Sequence, residues 1–186
     1  MPTPARTSVS EIVAASRSIL DAEGLDALTM TRVASDVGVR APSLYKRVRS
    51  RGELVRLVAN DVGDELAAAL DAAASTGDPR TNLRAIAFAF RAWAVAHPQA
   101  YTLLFGRSSE GPRLDLEVAA RASSTLLRTA EAMAGPYEAL EAARTFVAWA
   151  TGFVGMELAG AFQLGGDVDR AFAYGVDRLT ESIASR

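Results

Sequence analysis

Positively charged side chains are concentrated between Arg40 and Arg56. This stretch holds one carboxylate, that of Glu53, against six cations: Arg40, Lys46, Arg47, Arg49, Arg51 and Arg56. Guanidinium and ammonium groups pair with phosphate oxygens and release the counterions that the phosphates had condensed. The hydroxyl groups of Ser43 and Tyr45 can donate hydrogen bonds to the same oxygens. The residue types of this stretch are therefore suited to neutralising several phosphates of a nucleic-acid backbone.

The chain on either side of this stretch carries the start and stop signals of helices. Ser8 and Glu11 form a capping-box pattern, and apolar residues then recur at helical spacing until Gly24, which predicts a first helix over about residues 9–23. Ser50 and Glu53 repeat the pattern and predict a long helix that ends at about residue 74.

Two shorter helices are predicted between these. Thr29 or Thr31 can cap a helix that runs through Val37, and the glycine that follows Val37 ends it. Pro42 is well placed in the first turn of the next helix, which runs to about Val48. In such an arrangement the second helix can enter the major groove of DNA, about 12 Å wide, while the first braces it against the backbone.

The order of residues in this region resembles a known family. Residues 28–38 read LTMTRVASDVG, and residues 39–54 read VRAPSLYKRVRSRGEL. Together they resemble the N-terminal domain of the TetR (tetracycline repressor) family, in which a T-x-x-x-(L/V/I)-A-x-x-x-G-V helix precedes a recognition helix containing (S/T)-L-Y. The similarity covers about residues 8–58. It implies a helix-turn-helix DNA-binding domain at 1–58, called the head below, and a helical effector-binding and dimerisation domain at 59–186, called the body.

Several residues of the head have expected roles. Leu44 and Val48, four residues apart, should face inward together with Val33, Ala34 and Val37, which leaves the neighbours of Leu44 to face the DNA. Arg40 is the candidate base reader, because a guanidinium can donate two hydrogen bonds to guanine. Ala41 offers only a methyl group, which could touch a thymine methyl or nothing. The predicted DNA-binding set is Thr31, Arg32, Arg40, Ala41, Pro42, Ser43, Tyr45, Lys46, Arg47 and Arg51. The alternative is a solvated basic face on a small helical domain.

The distribution of charge agrees with a basic head on an acidic body. Residues 1–60 carry 9 Lys and Arg against 6 Asp and Glu, whereas the remaining residues carry 11 against 16. Such a split is typical of a nucleic-acid-binding head, although ordinary domains also show it.

Composition argues against several kinds of chemistry. The 186 residues include no cysteine and one histidine, His97, so disulfides, thiolate metal sites and multi-histidine sites are excluded. No combination of Ser, His and Asp forms a recognisable catalytic set. We expect no enzyme activity, no metal and no cofactor, and a capping or surface role for His97. The N-terminus shows no secretory signal, which predicts a cytoplasmic protein. The richness in Arg and Ala favours a bacterial source.

The rest of the chain is also predicted to be helical. Breakers at 97–98, 106–112, 135–136 and 165–166 divide it into about five further helices, and no sustained strand alternation occurs. The GRSSEGP segment at 106–112 matches no phosphate-binding loop and is predicted to be a connector. The predicted fold is therefore all-α, with about nine helices.

The most hydrophobic segment covers residues 144–166. It is nearly long enough to span a membrane, but Glu157 at its centre argues against a span. On a helix, Phe146, Trp149, Phe153, Met156 and Gly160 fall on one stripe, and Val147, Thr151, Val154, Leu158 and Phe162 on another. A helix that is apolar on two faces needs two partners, one of which could be the same helix of a second subunit. With the apolar seam of the last helix, the predicted dimer interface is Val147, Val154, Leu158, Phe162, Phe172, Val176 and Leu179.

The family resemblance extends to the body. In TetR-like proteins the last two helices usually build the dimer interface, and the body encloses an effector pocket. The pattern HPxxYxLLF at 97–105, with WATG at 149–152, resembles a subgroup named for a Trp-His-Gly motif. In this sequence Thr151 occupies the position of the motif's His. Ligand cavities are mostly apolar with a few polar anchors. The candidates are Phe88, Trp93, Tyr101, Phe105, Trp149, Thr151, Phe153 and Met156, each of which could instead be an ordinary core residue.

The resemblance implies a dimeric regulator that binds a pseudopalindromic double-stranded operator. It also implies a repressor that a small hydrophobic effector releases from its operator. Two rival hypotheses are a small-molecule-binding or enzymatic helical domain without a DNA function, and a membrane-associated protein that uses residues 145–164.

Overall fold

The computed structural model describes residues 8–106 and 114–184, and within these ranges all regular secondary structure is helical. The all-α class is confirmed. The predicted connector at 106–112 lies, apart from Gly106, outside the described residues. The helices of the described part are α1 (Val9–Glu23), a short 3-10 helix (Leu25–Ala27), α2 (Met30–Asp36), α3 (Ala41–Tyr45), α4 (Arg51–Ala73), α5 (Pro79–Ala96), α6 (Pro98–Phe105), α7 (Leu116–Ala134), α8 (Ala139–Leu158) and α9 (Val168–Ile183).

The capping residues fix where α1 and α4 begin. Ser8 Oγ accepts a hydrogen bond from the Glu11 N–H (3.1 Å), and Glu11 Oε2 accepts one from the Ser8 N–H (2.7 Å), so the predicted capping box of α1 is confirmed. Ser50 Oγ accepts from the Glu53 N–H (3.1 Å) in the same way. The Glu53 carboxylate, however, accepts from the Arg49 N–H (2.7 Å), one residue before the position that a capping box would use.

α3 ends at Tyr45, earlier than the predicted end at about Val48. The N–H groups of Arg47 and Val48 both donate to the Leu44 carbonyl, at 2.9 and 3.0 Å, so the chain leaves α3 through a turn. This turn carries Val48 into the core, where its side chain is fully buried.

α8 ends at Leu158, within the hydrophobic segment that the sequence predicted as one helix. Gly160 takes a φ of 64°, and the N–H groups of Gly160 and Ala161 return to the carbonyls of Glu157 and Met156. This is a Schellman ending, which glycine favours because it adopts a positive φ without strain. Gly160 and Phe162 therefore lie beyond the helix, and the stripes predicted through them stop at Leu158.

The first compact unit comprises the described residues of Met1–Gly63 and His97–Asp115. Within it α1 packs against α2 and α6, and α2 packs against α3. The unit thus includes α6, which the sequence division assigned to the body. Its core contains side chains that are at most 1% exposed: Ile12, Leu20, Leu28, Val33, Leu44, Val48, Leu54 and Val58.

The second compact unit comprises Asp64–Ala96 and the described residues of Leu116–Arg186. α5 packs against α7, α8 and α9. An aromatic cluster joins α5, α8 and α9, in which the ring centroid of Phe172 lies 5.4, 5.2 and 5.1 Å from those of Phe88, Trp149 and Phe153. Edge-to-face and offset ring pairs at such separations add to the stabilisation that burial alone provides.

An ion-pair network lies beside the aromatic cluster. The Arg91 guanidinium lies 5.0 Å from the Phe172 ring centroid and donates two hydrogen bonds to Glu157, at 2.7 and 2.6 Å. It donates a third to Asp169, at 2.6 Å. Glu157, the carboxylate within the hydrophobic segment, therefore has an internal partner. No helix among the described residues is long and apolar enough to cross a membrane.

A close approach between α8 and α9 generates a stability prediction. A Cβ atom placed on Gly175 would overlap the six-membered ring of Trp149, whereas one on Gly52 in α4 would lie 3.8 Å from Ser50 Oγ, an ordinary contact. We expect Gly175→Ala to lower the free energy of unfolding by about 1–3 kcal/mol, because overpacking shifts buried side chains.

Urea unfolding of Gly175→Ala and Gly52→Ala tests this expectation. Gly52→Ala is the control and should leave the free energy of unfolding nearly unchanged, because Gly52 lies in the first turn of α4 and the added Cβ makes only an ordinary contact. A Gly175→Ala protein as stable as the unmodified chain would contradict the tight packing of Trp149 against α9.

Candidate nucleic-acid interface

α3 is held in place by burial of two side chains. Leu44 is 1% exposed, Val48 is fully buried, and both lie in the same core as Val33 and Ala34 of α2. The prediction that these four residues face inward is confirmed, whereas Val37, predicted to face inward with them, is half-buried at the end of α2. A helix of five residues is not stable alone in water, so this burial is what maintains α3.

The turn between α2 and α3 depends on Gly38. Its φ is 70°, and the N–H groups of Gly38 and Val39 donate to the carbonyls of Ser35 and Ala34, at 3.2 and 2.9 Å. These bonds satisfy carbonyls at the end of α2 in a Schellman ending. The turn delivers the chain directly into α3 one residue after Arg40.

The surface around α3 exposes most of the predicted DNA-binding residues. Ala41 is half-buried, and Tyr45 is 50% exposed. Pro42 is exposed, and so are four residues with polar side chains: Arg40, Ser43, Lys46 and Arg47. Among the described residues, none forms a hydrogen bond, ion pair or ring contact with the side chains of these four residues or of Tyr45. The structure therefore brings together three unengaged cations and two hydroxyl groups within one short segment.

The predicted residues at the start of α2 differ from one another. Thr31 is exposed. Arg32 forms ion pairs with Glu23, at 2.9 Å, and with Asp36, at 3.1 Å. These carboxylates, Glu23 foremost, raise the pKa of Arg32 above its ordinary value and neutralise part of its charge. Arg32 is therefore less available to a phosphate than the cations around α3.

Two further cations of the stretch are engaged within the first unit. The Arg51 guanidinium donates to the backbone carbonyls of Leu28 and Leu25, both at 2.8 Å. The Arg56 guanidinium donates to the Asp115 carboxylate, at 2.8 and 2.6 Å, and holds the pKa of that carboxyl below its usual value. The sequence counted both residues among the cations able to neutralise phosphates.

Arg49 is a cation that the predicted set omitted. Its side chain is exposed, and none of the described residues forms an ion pair or hydrogen bond with it. Its place in the cationic run was visible in the sequence. Its freedom was not, because that depends on which neighbouring arginines find partners in the fold.

The predicted ligand-binding residues are only partly brought together. Phe88, Trp149 and Phe153 join in the aromatic cluster with Phe172. In the same unit, the indole N–H of the buried Trp93 donates to Glu65 (2.8 Å), Thr151 donates to the Val147 carbonyl (2.6 Å), and Met156 is exposed. Tyr101 and Phe105 belong to the first unit, where their ring centroids are 5.3 Å apart. Burial raises the pKa of Tyr101.

The predicted dimer-interface residues divide by burial. Val154, Phe172 and Val176 are fully buried within this chain, so they leave no surface for a partner and are no longer candidates for the interface. Val147 and Phe162 are exposed, and Leu158 and Leu179 are half-buried. Phe162 lies past the end of α8, with its ring 4.8 Å from that of Phe153. These four remain candidates.

A family model matches more than half of the chain. The model described as "Tetracyclin repressor-like, C-terminal domain" matches residues 83–179. The chain belongs to the TetR family. This family consists of transcriptional regulators, so the chain is not an enzyme. The resemblance to the Trp-His-Gly subgroup stays a prediction.

Individual proteins are similar over nearly the whole chain. The HTH-type transcriptional regulator Rv0681 of Mycobacterium tuberculosis is 29% identical over 185 residues, which cover 98% of this chain and 84% of the relative. The crystal structure of Mycobacterium smegmatis BioQ has a TM-score of 0.70 and 25% identity, with 96% of this chain and 99% of that chain covered. A TetR variant from Acinetobacter baumannii, in complex with minocycline, shares the fold with a TM-score of 0.72 and 22% identity, with 96% of this chain and 97% of that chain covered.

The geometry around α3 generates a prediction that separates two kinds of DNA contact. We expect Tyr45→Ala and Lys46→Ala to weaken binding to all sequences alike, because phosphate contacts carry no base information. Lys46→Ala should also reduce the slope of log affinity against log salt by about 0.9 for each lost contact. Arg40→Ala should cost about 1–3 kcal/mol on the preferred sequence and change the preference at one base position.

Fluorescence anisotropy with labelled duplexes at several salt concentrations measures both effects. Arg80→Ala, an exposed cation at the start of α5, is the control and should leave affinity and slope unchanged. A uniform loss of affinity in Arg40→Ala would reassign Arg40 to phosphate contact.

Proposed function

We propose that this TetR-family chain is a homodimeric, sequence-specific DNA-binding regulator of transcription. In this proposal residues 1–58 bind the operator, and residues 59–186 bind the effector and dimerise. The observation that carries the proposal is the surface of Arg40, Ser43, Tyr45, Lys46 and Arg47, on and beside a helix that Leu44 and Val48 anchor. Exposed cations without internal partners are available for phosphate oxygens.

Dimerisation follows from the size of the reading element and from the body. A five-residue α3 reaches only a few base pairs, and two copies related by a twofold axis would read two half-sites of a pseudopalindrome. On α8, Val147 is 41% exposed and Leu158 is half-buried, and both belong to the second apolar stripe of this helix. Apolar side chains left accessible on one flank of a helix support an isologous contact with a second copy.

We propose that the protein is a cytoplasmic repressor released from its operator by a small, mainly hydrophobic molecule. The aromatic cluster of Phe88, Trp149, Phe153 and Phe172 supports this class of effector, because apolar rings bind apolar ligands. The structural neighbour in complex with minocycline supports the binding of a small molecule by a protein of this fold. Release requires that the effector bind the DNA-free conformation more tightly than the DNA-bound conformation.

Selection of bound sequences from a random DNA pool by the purified protein, at a stated salt concentration, tests DNA recognition. We expect an enriched pseudopalindrome with half-sites about one helical turn, or 34–36 Å, apart. Lys46→Ala is the matched control and should enrich the same sequence from a larger input of protein. A folded protein that enriches no sequence at any salt concentration would reject sequence-specific binding.

The effector proposal is tested on the selected operator. Calorimetry first finds a compound from a hydrophobic library that binds the full-length protein, and anisotropy then measures operator affinity with and without it. We expect saturation to lower affinity at least about tenfold, equivalent to about 1.4 kcal/mol of coupling. Phe153→Leu should weaken the compound's binding and leave the affinity of the compound-free protein for DNA unchanged. Equal operator affinity with and without the saturating compound would reject release by that ligand.

A further inference from the structure

Arg51 uses its guanidinium inside the protein. It is the first residue of α4, and its Nε and Nη2 atoms donate to the carbonyl oxygens of Leu28 and Leu25, each at 2.8 Å. These two atoms form one edge of the planar guanidinium, the edge that would otherwise grip a phosphate with two parallel hydrogen bonds. In this conformation, that edge is not available to DNA.

The two carbonyls belong to the short connection between α1 and α2. Leu25 opens the 3-10 helix, Leu28 follows its last residue, and Thr29 is the N-cap of α2, whose Oγ1 accepts from the Arg32 N–H (3.2 Å). Arg51 therefore ties the start of α4 to the start of α2. Because α2 packs against α3, this tie acts on the element that presents Arg40 and Tyr45.

Arg49 has the opposite environment. Its backbone N–H donates to the Glu53 carboxylate (2.7 Å), which fixes the main chain just before α4. Its side chain is exposed, and within the described ranges it has no hydrogen-bond or ion-pair partner. It follows Lys46 and Arg47 on the turn after α3. A guanidinium on a fixed backbone, with all its N–H groups free, suits a phosphate contact.

We infer that Arg49 contacts a DNA phosphate and that Arg51 is a positioning residue, which orients α2 and α3 through the carbonyls of Leu25 and Leu28. This assignment rests on the DNA-binding function proposed above. It differs from the predicted DNA-binding set, which includes Arg51 and omits Arg49.

The experiment compares Arg49→Gln, Arg51→Lys and Arg51→Gln in the full-length protein, with Arg80→Gln as the control. Affinity for a duplex of mixed sequence is measured at several salt concentrations. The temperature is one at which circular dichroism shows that every variant is folded. Arg49→Gln should reduce the salt slope by about 0.9 per subunit. Arg51→Lys keeps the charge but cannot span both carbonyls. Each Arg51 variant should lose affinity by about tenfold with an unchanged slope, because one or two charged hydrogen bonds that orient α2 are lost.

Hydrogen exchange provides a second measurement that is independent of DNA. The amides of Leu28 and Thr29 should exchange faster in both Arg51 variants than in the unmodified protein, and at an unchanged rate in Arg49→Gln. An Arg51→Lys protein that binds DNA as tightly as the unmodified chain, or an Arg51→Gln protein with a reduced salt slope, would overturn the positioning role. An unchanged slope in Arg49→Gln would overturn the phosphate contact.

The unmodified protein separates this inference from the function on which it rests. If it binds no duplex at any salt concentration, the DNA-binding proposal fails, and the assignment of Arg49 and Arg51 fails with it. If the unmodified protein binds the duplex but the Arg49 or Arg51 variants give one of the contradicting results above, only the assignment of these two residues fails.

Discussion

The arrangement of the predicted DNA-binding residues depends on the burial of Leu44 and Val48. α3 is too short to be stable by its own hydrogen bonds. Its orientation is therefore set by the packing of these two side chains in the core. Everything on its outer side, including Tyr45 and the cations around it, is placed indirectly by this contact. Substitutions in the core beneath α3 are therefore expected to move the predicted DNA-binding residues, although the substituted side chains are buried. The cations around α3 favour a negatively charged partner, and the packing of Leu44 and Val48 fixes the positions of those cations.

The body is organised around Phe172 in a comparable way. Rings from α5, α8 and α9 meet at this side chain, and the Arg91 guanidinium lies against the same ring while Glu157 and Asp169 neutralise it. A carboxylate in an apolar helix is costly unless it is paired. The pairing explains how Glu157 can occur in the most hydrophobic segment of the chain. Phe88, Trp149 and Phe153 were predicted to contact a ligand, but their rings pack against Phe172, which has no exposed surface. These three rings therefore also contribute to the folding of the unit.

Local chemistry explains what the sequence predicted well. Capping residues such as Ser8 act on the nearest backbone groups, so the bounds of α1 followed from spacing alone, and the inward positions of Leu44 and Val33 followed from helical periodicity. The failures concern long-range partners. The engagement of Arg51 by carbonyls more than twenty residues away, and the burial of Phe172 by three other rings, depend on contacts that no short window contains. The early end of α8 had a local signal in Gly160, which the strong apolar stripes outweighed.

The positions of the tryptophans give one part of the protein an intrinsic fluorescent probe. The chain has two tryptophans, Trp93 and Trp149, and both belong to the second compact unit. One indole is hydrogen-bonded to a carboxylate, and the other is stacked against Phe172, so their emission should respond to different changes within that unit. Selective excitation of tryptophan therefore gives fluorescence from the second unit only, whereas Tyr45 in the first unit is not excited. An optical signal that changes when a compound is added then reports an event at the body directly, without any label and without any DNA in the cuvette.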